Sequence, residues 1–253
     1  MTEPGTVGLA VDDGVATITL DRRARHTRLV PEFLDRIESA IGDVADSPAR
    51  VVVLRSVGSS FSTGGDVAGF QAHRHDLRGY AERIVGGLNR VILGLVDLEQ
   101  PVVVAVHGMV TGGSLGLVLA GDVVLVESRA TITPWYREVG FAPDGGWTAM
   151  LPAVVGRQRA SEALLTNRTI SAQEMLDWGI ASRLVADGDA HAAADVVARD
   201  IAGSVPGSIR HTKARLWSDV ESIAAALDDE RQRFVEQVTT DEVAAGMTRF
   251  LSS

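Results

Sequence analysis

The 253-residue sequence contains no cysteine, few aromatic residues and no long apolar run. Without cysteine the chain can form no disulfide. Its apolar runs, such as those at 51–54 and 102–106, are far shorter than the roughly 20 residues that a membrane-spanning helix needs. The first residues lack the basic and then apolar layout of a secretory signal. The sequence therefore predicts a cytoplasmic protein without a membrane span.

The charge balance and several missing motifs exclude further classes of protein. A net charge of −9 disfavours non-specific binding to nucleic acid or to anionic membranes. The six histidines include no H-E-x-x-H spacing, and His73 and His75 lack the further ligands of a zinc site. A G-x-S-x-G elbow, typical of serine hydrolases, is also absent. We therefore expect no metal, and neither nucleic acid nor membrane among the partners.

Apolar patterning predicts a hairpin, a helix and a parallel sheet in the first two-thirds of the chain. Two alternating stretches flank Asp12-Asp13-Gly14, which suits a tight turn with positive φ. Residues 31–45 carry apolar side chains at spacings of three and four, typical of one helical face. Strand, helix and strand in succession indicate right-handed parallel crossovers. The buried strands are predicted at 51–54, 102–106 and 123–126, and the helices between them at 81–96 and 113–120.

From Gly145 onward the pattern becomes mainly helical. The segment 171–174, SAQE, matches a capping box, in which two side chains satisfy the first N–H groups of a helix. That helix is predicted to end near Gly179. We expect a β-β-α core with the substrate site over residues 1–195 and a helical subdomain over 196–253. Further helices are predicted at 190–202, 209–217 and 223–238.

Two glycine-rich turns follow buried strands, at 61–66 (FSTGGD) and at 108–116 (GMVTGGSLG). Paired glycines permit a sharp turn that presents N–H groups to a ligand, and a helix start favours negative charge. Each turn alone is also compatible with an ordinary strand exit or with close packing of small residues. Together they predict an oxyanion hole, in which Gly65 and Gly113 donate hydrogen bonds to one oxygen atom.

The order of these motifs resembles the crotonase, or enoyl-CoA hydratase/isomerase, superfamily over nearly the whole chain. Besides the glycine turns, the resemblance rests on the segments 139–146 (VGFAPDGG) and 164–168 (LLTNR). It implies an α/β fold, a spiral of β-β-α units with a C-terminal α-helical trimerisation region. It also implies an acyl-coenzyme A thioester substrate and assembly as a homotrimer or a dimer of trimers. Coenzyme A would then be part of the substrate, with no tightly bound cofactor.

The same resemblance assigns roles to individual residues. The thioester oxygen would lie between the N–H groups of Gly65 and Gly113. Arginines of the basic stretch 22–28 would approach the pantetheine and the phosphates, although such residues more often form a solvated face. The substrate-binding residues that the resemblance implies in these segments are Thr63, Gly64, Gly112 and Arg25.

The sequence departs from the family where a hydratase carries its two glutamates. Those places hold Gly116 and Tyr136, so hydration by the usual pair is not expected. Glu138 lies two residues beyond Tyr136 and would need a local shift to reach the site; otherwise it is a surface charge. We expect Tyr136, Trp135 and Glu138 to shape the acyl pocket.

Asp144 is the acid that remains at a place used by family isomerases. A single carboxylate suffices for a double-bond shift, because it takes a proton from one carbon and returns it to another. Its apolar neighbours Phe141 and Trp147 are expected to raise its pKa towards neutrality. An aspartate before a helix is also a preferred cap, so a structural role stays open.

Two alternatives to an isomerase remain. The segments 166–169 and 177–179 resemble the 4-chlorobenzoyl-CoA dehalogenase branch, in which the residue at the place of Asp144 is a nucleophile. The tryptophan and histidine of that branch align with Tyr136 and Asn89 here, and Trp135 stands one residue early. A CoA-ester-binding protein without turnover is the other alternative, motivated by Gly116 and Tyr136.

Overall fold

The computed structural model describes residues 5–252, apart from the side chain of Arg25. The strands are β1 (Thr6–Asp12), β2 (Val15–Asp21), β3 (Val51–Ser56), β4 (Val102–Val106), β5 (Met109–Thr111), β6 (Val123–Glu127), β7 (Thr131–Thr133), β8 (Ile170–Ser171) and β9 (Arg183–Val185). The helices are α1 (Pro31–Ala45), α2 (Val67–Ala72), α3 (Leu77–Asp97), α4 (Leu115–Leu119), α5 (Tyr136–Val139), α6 (Leu151–Val155), α7 (Arg157–Thr166), α8 (Ala172–Asp177), α9 (Ala190–Ala202), α10 (Pro206–Leu216), α11 (Val220–Gln237) and α12 (Asp241–Ser252). Short 3₁₀ turns cover Arg23–Arg25 and Gly112–Ser114.

The predicted hairpin is formed by β1 and β2. They pair antiparallel with Asp12 opposite Val15. The two turn residues, Asp13 and Gly14, have φ values of 45° and 76°. Two positive φ values are typical of the type I′ turn, whose twist matches that of the flanking strands. The hairpin prediction is confirmed.

The main sheet has the strand order β1-β2-β3-β4-β6-β9, and every neighbouring pair after β1–β2 is parallel. One face packs against α1 and α3, and the other packs against α9. Because neither face meets water, β3 and β4 are continuous valine-rich runs rather than alternating ones. The predicted parallel core is therefore confirmed.

A second, small sheet with the order β5-β7-β8 was not predicted. Its strands have only two or three residues each, which is too short for a period of two to be recognised. β5 pairs parallel with β7 and ends at Thr111, immediately before Gly112. The small sheet therefore positions the start of the second glycine turn.

Most of the predicted helices are confirmed, with shifts at their first residues. α1 and α9 have the predicted bounds. α3 begins earlier than predicted, because the Asp76 side chain accepts a hydrogen bond from the Gly79 N–H and caps the helix. The predicted capping box between Ser171 and Glu174 is present. α10 and α11 begin about one turn early, and α2 and α12 were not predicted.

The C-terminal helices pack on the rest of the chain. The predicted boundary between residues 195 and 196 falls inside α9, which packs on β3 and β4. α11 packs along α3, and α12 packs against α2 and α5. The division of the chain into a core and a helical subdomain stays a prediction. Within residues 5–252, no helix combines the length and the hydropathy that crossing a membrane requires.

The buried side chain of Lys213 connects α10 to the N-terminal ends of β4 and β6 in the main sheet. Lys213 Nζ lies 3.2 Å from Asp122 Oδ2 and donates hydrogen bonds of 2.9 Å to the carbonyls of Leu95 and Gln100. Asp122 Oδ1 also accepts a hydrogen bond from Trp217 Nε1. Burial lowers the pKa of Lys213, and the Asp122 carboxylate opposes that effect. The pair therefore joins the C-terminal helices to the turn between α4 and β6.

We expect Lys213→Met to lower the free energy of unfolding by about 3 kcal/mol, because the partly buried Asp122 carboxylate loses its buried cation. Urea unfolding followed by circular dichroism measures this difference. Arg233→Ala, which removes an exposed ion pair with Asp229, should change the same quantity by less than about 0.5 kcal/mol. Equal losses in the two variants would contradict the role given to the buried pair.

Candidate active site

A cavity of about 290 Å³ lies between the two glycine turns and the C-terminal helices. Its walls are mainly apolar, and four of the six phenylalanines of this aromatic-poor chain line it. Of the residues predicted for the site, those that line the cavity are Thr63, Gly64, Gly65, Gly112, Gly113, Trp135, Tyr136 and Asp144.

The two glycine turns lie directly against each other. Gly64 and Gly112 have φ values of 68° and 54°, which side chains rarely adopt. A Cβ on Gly64 would stand only 2.5 Å from the carbonyl oxygen of Thr111. Ser114 Oγ donates to the carbonyls of Ser62 and Thr111, at 3.1 and 2.7 Å. The absence of side chains at the glycines thus permits the approach that the sequence suggested.

The backbone hydrogen bonds that hold the first turn against Leu29 and against the second turn are donated by residues other than the predicted oxyanion donors. Leu29 N–H donates to the Gly64 carbonyl, Asp66 N–H to Leu29, and Thr111 N–H to Ser62. These bonds therefore do not use the N–H groups of Gly65 or Gly113. A backbone N–H that serves no internal bond is the kind of group that binds a developing oxyanion.

The Asp144 carboxylate lies against Gly113. A Cβ on Gly113 would come within 2.9 Å of Asp144 Oδ2 and within 3.0 Å of Oδ1. The adjacent Gly145 has a φ of 62°, and a Cβ there would overlap the backbone of Gly113. Two glycines in contact thus bring the acid to the second turn, and any side chain at either position would push it away.

Tyr136 holds the Asp144 side chain. Its hydroxyl donates to Asp144 Oδ1 at 2.7 Å and lies 2.9 Å from the Asp144 carbonyl oxygen. Burial raises the pKa of Asp144 to about 7, and the negative charge of Glu230 adds to that rise, whereas the Tyr136 hydrogen bond lowers it. Burial and the nearby Asp144 charge raise the pKa of Tyr136 well above its usual range. The phenol therefore stays a neutral donor at physiological pH.

The place of the first hydratase glutamate has no room for a side chain. A Cβ on Gly116 would overlap Ile92 Cδ1 and would lie 2.7 Å from the carbonyl oxygen of Gly145. Ile92 is fully buried in α3. The neighbouring structure thus fills the space that a glutamate would need.

Trp135 and Glu138 differ in their relation to the cavity. Trp135 lines it in a left-handed conformation with a φ of 61°, and its N–H donates to Asn167 Oδ1 at 2.8 Å. Its ring meets that of Phe250 from α12 edge to face, with 5.9 Å between centroids. Glu138, by contrast, does not line the cavity, and its carboxylate lies 3.7 Å from the Arg137 guanidinium on the surface. The local shift that would bring Glu138 inward is absent, because Tyr136 occupies that position.

Arg25 and Asn89 were also named from the sequence. The side chain of Arg25 lies outside the described part of the structure. Asn89, at the place of the dehalogenase histidine, is buried and donates to the carbonyl of Leu227 at 2.9 Å. Its amide therefore joins α3 to α11.

The sequence analysis missed the residues that the C-terminal helices bring to the site. Phe234 and Phe250 line the cavity from α11 and α12. Glu230, also on α11, is 2% exposed and accepts hydrogen bonds from the segment that follows Asp144. It stands in the charged run 228–231 (DDER), which is typical of a solvated helix face, so only the long-range packing distinguishes it from its neighbours.

The arrangement suits proton transfer at a carbon next to a carbonyl. It combines an acid whose pKa is near 7, backbone N–H groups at two turns and an apolar cavity. Within residues 5–252 no three histidine, aspartate or glutamate side chains are grouped so that they could hold a metal ion. The chemistry that these residues can supply by themselves is acid–base catalysis.

Comparison with known proteins gives the family. The family model described as enoyl-CoA hydratase/isomerase matches residues 10–253. The chain is 36% identical to "Probable enoyl-CoA hydratase EchA12" of Mycobacterium tuberculosis strain H37Rv, over 90% of this chain and 83% of that protein. It is 29% identical to "4-chlorobenzoyl coenzyme A dehalogenase-2" of an Arthrobacter species, over 95% of this chain and 88% of that protein.

A solved structure agrees with this result. The crystal structure of an enoyl-CoA hydratase/isomerase from Mycobacterium paratuberculosis superposes with a TM-score of 0.87 at 25% identity, covering 96% of this chain and 97% of that one. The fold expected from the sequence is thereby confirmed, while its trimeric assembly stays a prediction. The chain has the crotonase fold and belongs to the enoyl-CoA hydratase/isomerase family.

Proposed function

We propose that the protein isomerises the double bond of an enoyl-CoA thioester, with Asp144 as the single acid–base group. The observation that carries this proposal is the position of the Asp144 carboxylate beside Gly113, with a pKa near 7. Coenzyme A enters as part of the substrate. Arg28 and His26, which also line the cavity, are the candidates for contacts with its phosphates.

The proposed reaction needs no water and consumes no proton. The Asp144 carboxylate removes a proton from one carbon of the acyl chain and becomes a carboxylic acid. The electron pair moves to the thioester oxygen, whose negative charge the N–H groups of Gly65 and Gly113 stabilise. The acid then returns the proton to a different carbon, and the carboxylate is regenerated. Thr63, Gly64 and Gly112 shape the turns that carry these donors.

Isomerisation is favoured over hydration because the two places that would hold and activate a water have changed. Ile92 fills the space beside Gly116, and Tyr136 supplies a neutral phenol in place of a carboxylate. The Tyr136 hydroxyl also donates a hydrogen bond to Asp144 Oδ1. Asp144 Oδ2, the other oxygen of the carboxylate, is then the oxygen that exchanges the proton with substrate.

The acyl group is proposed to be apolar. Phe70, Phe141 and Phe234 form one wall, with ring centroids 5.0–5.7 Å apart. Trp135 and Phe250 close the cavity on another side. Assembly as a homotrimer or a dimer of trimers remains a prediction from the family resemblance.

Asp144→Asn tests the proposal. In heavy water the wild type should exchange α- or γ-hydrogens of 3-enoyl- or 2-enoyl-CoA for deuterium, as read by mass spectrometry. The variant should lose this exchange by at least about 100-fold, the lower range for an acid–base group, yet keep its affinity for the CoA ester. Wild-type exchange in the variant would show that another group moves the proton.

The pH dependence follows from the raised pKa of Asp144. Only the ionised carboxylate accepts a proton, so kcat/KM should rise with pH and level off above about 7. An Asp144 with an ordinary pKa would instead give a flat profile between pH 5 and 8. Initial rates across this range distinguish the two cases when the substrate carries an acyl group that does not ionise between pH 5 and 8.

Gly116→Ala tests whether the first glutamate position is closed. The added methyl overlaps Ile92, so the free energy of unfolding of the variant should be about 2 kcal/mol lower than that of the wild type. Gly42→Ala is the matched control, because a Cβ there meets nothing within 4 Å; it should be neutral or stabilising. A Gly116→Ala variant as stable as the control would mean that the position tolerates a side chain.

A second candidate is an aryl-CoA dehalogenase, which the similarity to the Arthrobacter protein favours. There Asp144 would attack the ring carbon, expel chloride and form an aryl ester that water hydrolyses. Incubation with 4-chlorobenzoyl-CoA and assay of free chloride tests this candidate. Binding of enoyl- and aryl-CoA esters without deuterium exchange or chloride release would instead identify the protein as a binding homologue without turnover.

A further inference from the structure

Glu230 is a buried carboxylate that the proposed reaction does not use. Its Oε1 accepts hydrogen bonds from Thr148 N–H, Thr148 Oγ1 and Ala149 N–H, at 2.6, 2.7 and 2.9 Å. Its Oε2 accepts from the Gly146 N–H at 2.8 Å. These donors are backbone amides and a hydroxyl, so they satisfy the oxygens without cancelling the charge.

The turn that Glu230 holds is the one that carries Asp144. On one side Gly145 lies against the Gly113 backbone, and on the other side Gly146 donates to Glu230. Asp144 directly precedes these two glycines. Because both have positive φ and no side chain to pack, contacts at their backbone are what keeps the turn in place.

We propose that Glu230 is a positioning residue for Asp144: from α11 it fixes the turn so that the Asp144 carboxylate faces Gly113, and it places a second negative charge on the other side of that turn. This inference rests on the proposed proton transfer by Asp144. It adds a role for a C-terminal helix in the chemistry of a site built on the glycine turns.

The charges around Glu230 agree with this role. Across the contact with the turn, its charge raises the pKa values of both Asp144 and Tyr136. The neighbouring Arg231 is directed to Asp228 on its own helix and to Glu82 on α3. Arg231, the cation next to Glu230 in sequence, thus stabilises the contact between α3 and α11.

Glu230→Gln and Glu230→Asp separate position from charge. The glutamine loses the charge and presents an NH₂ group towards the Gly146 N–H, so the turn is released; kcat should fall by up to about 100-fold, with little change in KM. The rise of kcat/KM with pH should then occur at lower pH than in the wild type. The Glu230→Asp variant keeps the charge, so its kcat/KM should rise at nearly the same pH as that of the wild type, although its kcat falls.

Arg231→Gln is the matched control, because one residue away it breaks the α3–α11 ion pair with Glu82 and the pair with Asp228 within α11, without touching the turn. It should lower thermal stability and leave kcat and the pH at which kcat/KM rises unchanged. If Glu230→Gln behaves in the same way, Glu230 is only a structural residue and the inference is overturned.

A direct titration keeps this test independent of turnover. Carbon-13 NMR follows the Asp144 carboxyl, assigned by loss of its signal in Asp144→Asn. A wild type without deuterium exchange would overturn the proposed function. In that case a titration midpoint of Asp144 that is lower in Glu230→Gln still supports the inference, and an unchanged midpoint overturns it.

Discussion

The arrangement of the site depends on the contact between Gly145 and Gly113. A Cβ at Gly145 would overlap the Gly113 backbone, and one at Gly113 would meet the Asp144 carboxylate. Side chains at either place would separate the acid from the second turn by the width of a methyl group. The first turn is held equally close, since Gly64 lies against Thr111. Three segments of the chain therefore approach each other closely at their backbones.

Two aspartates of this protein, Asp122, which is partly buried, and Asp144, which is buried, show how the surroundings of a carboxylate decide its role. Asp122 is paired with the ammonium of Lys213 and with the Trp217 indole N–H. Asp144 has a phenol as its hydrogen-bond donor and a second carboxylate, Glu230, in its surroundings. Burial of a carboxyl without a compensating cation is costly for stability and brings its pKa into the range where proton transfer is useful. We interpret Asp122 as a residue that stabilises the fold and Asp144 as a residue that takes part in the reaction.

The sequence predicted those features that depend on local pattern. Valine-rich runs indicated the parallel core, paired positive-φ residues indicated the hairpin turn, and SAQE indicated the capping box at Ser171. The Gly-Gly pairs and Asp144 could be named because their neighbours in sequence carry the signal, although their catalytic roles stay predictions. β5 and β7 are too short to leave a period. Glu230 and Ile92 could not be found, since only tertiary packing makes one a buried acceptor and the other an obstacle beside Gly116.

The contribution of α11 and α12 to the cavity has a consequence for how the protein matures. Glu230, Phe234, Phe250 and Leu251 follow all the other residues of the site in chain order. During synthesis from the N-terminus, the glycine turns and Asp144 leave the ribosome before the helices that enclose them. The nascent chain thus exposes an open apolar groove until about residue 250 has emerged.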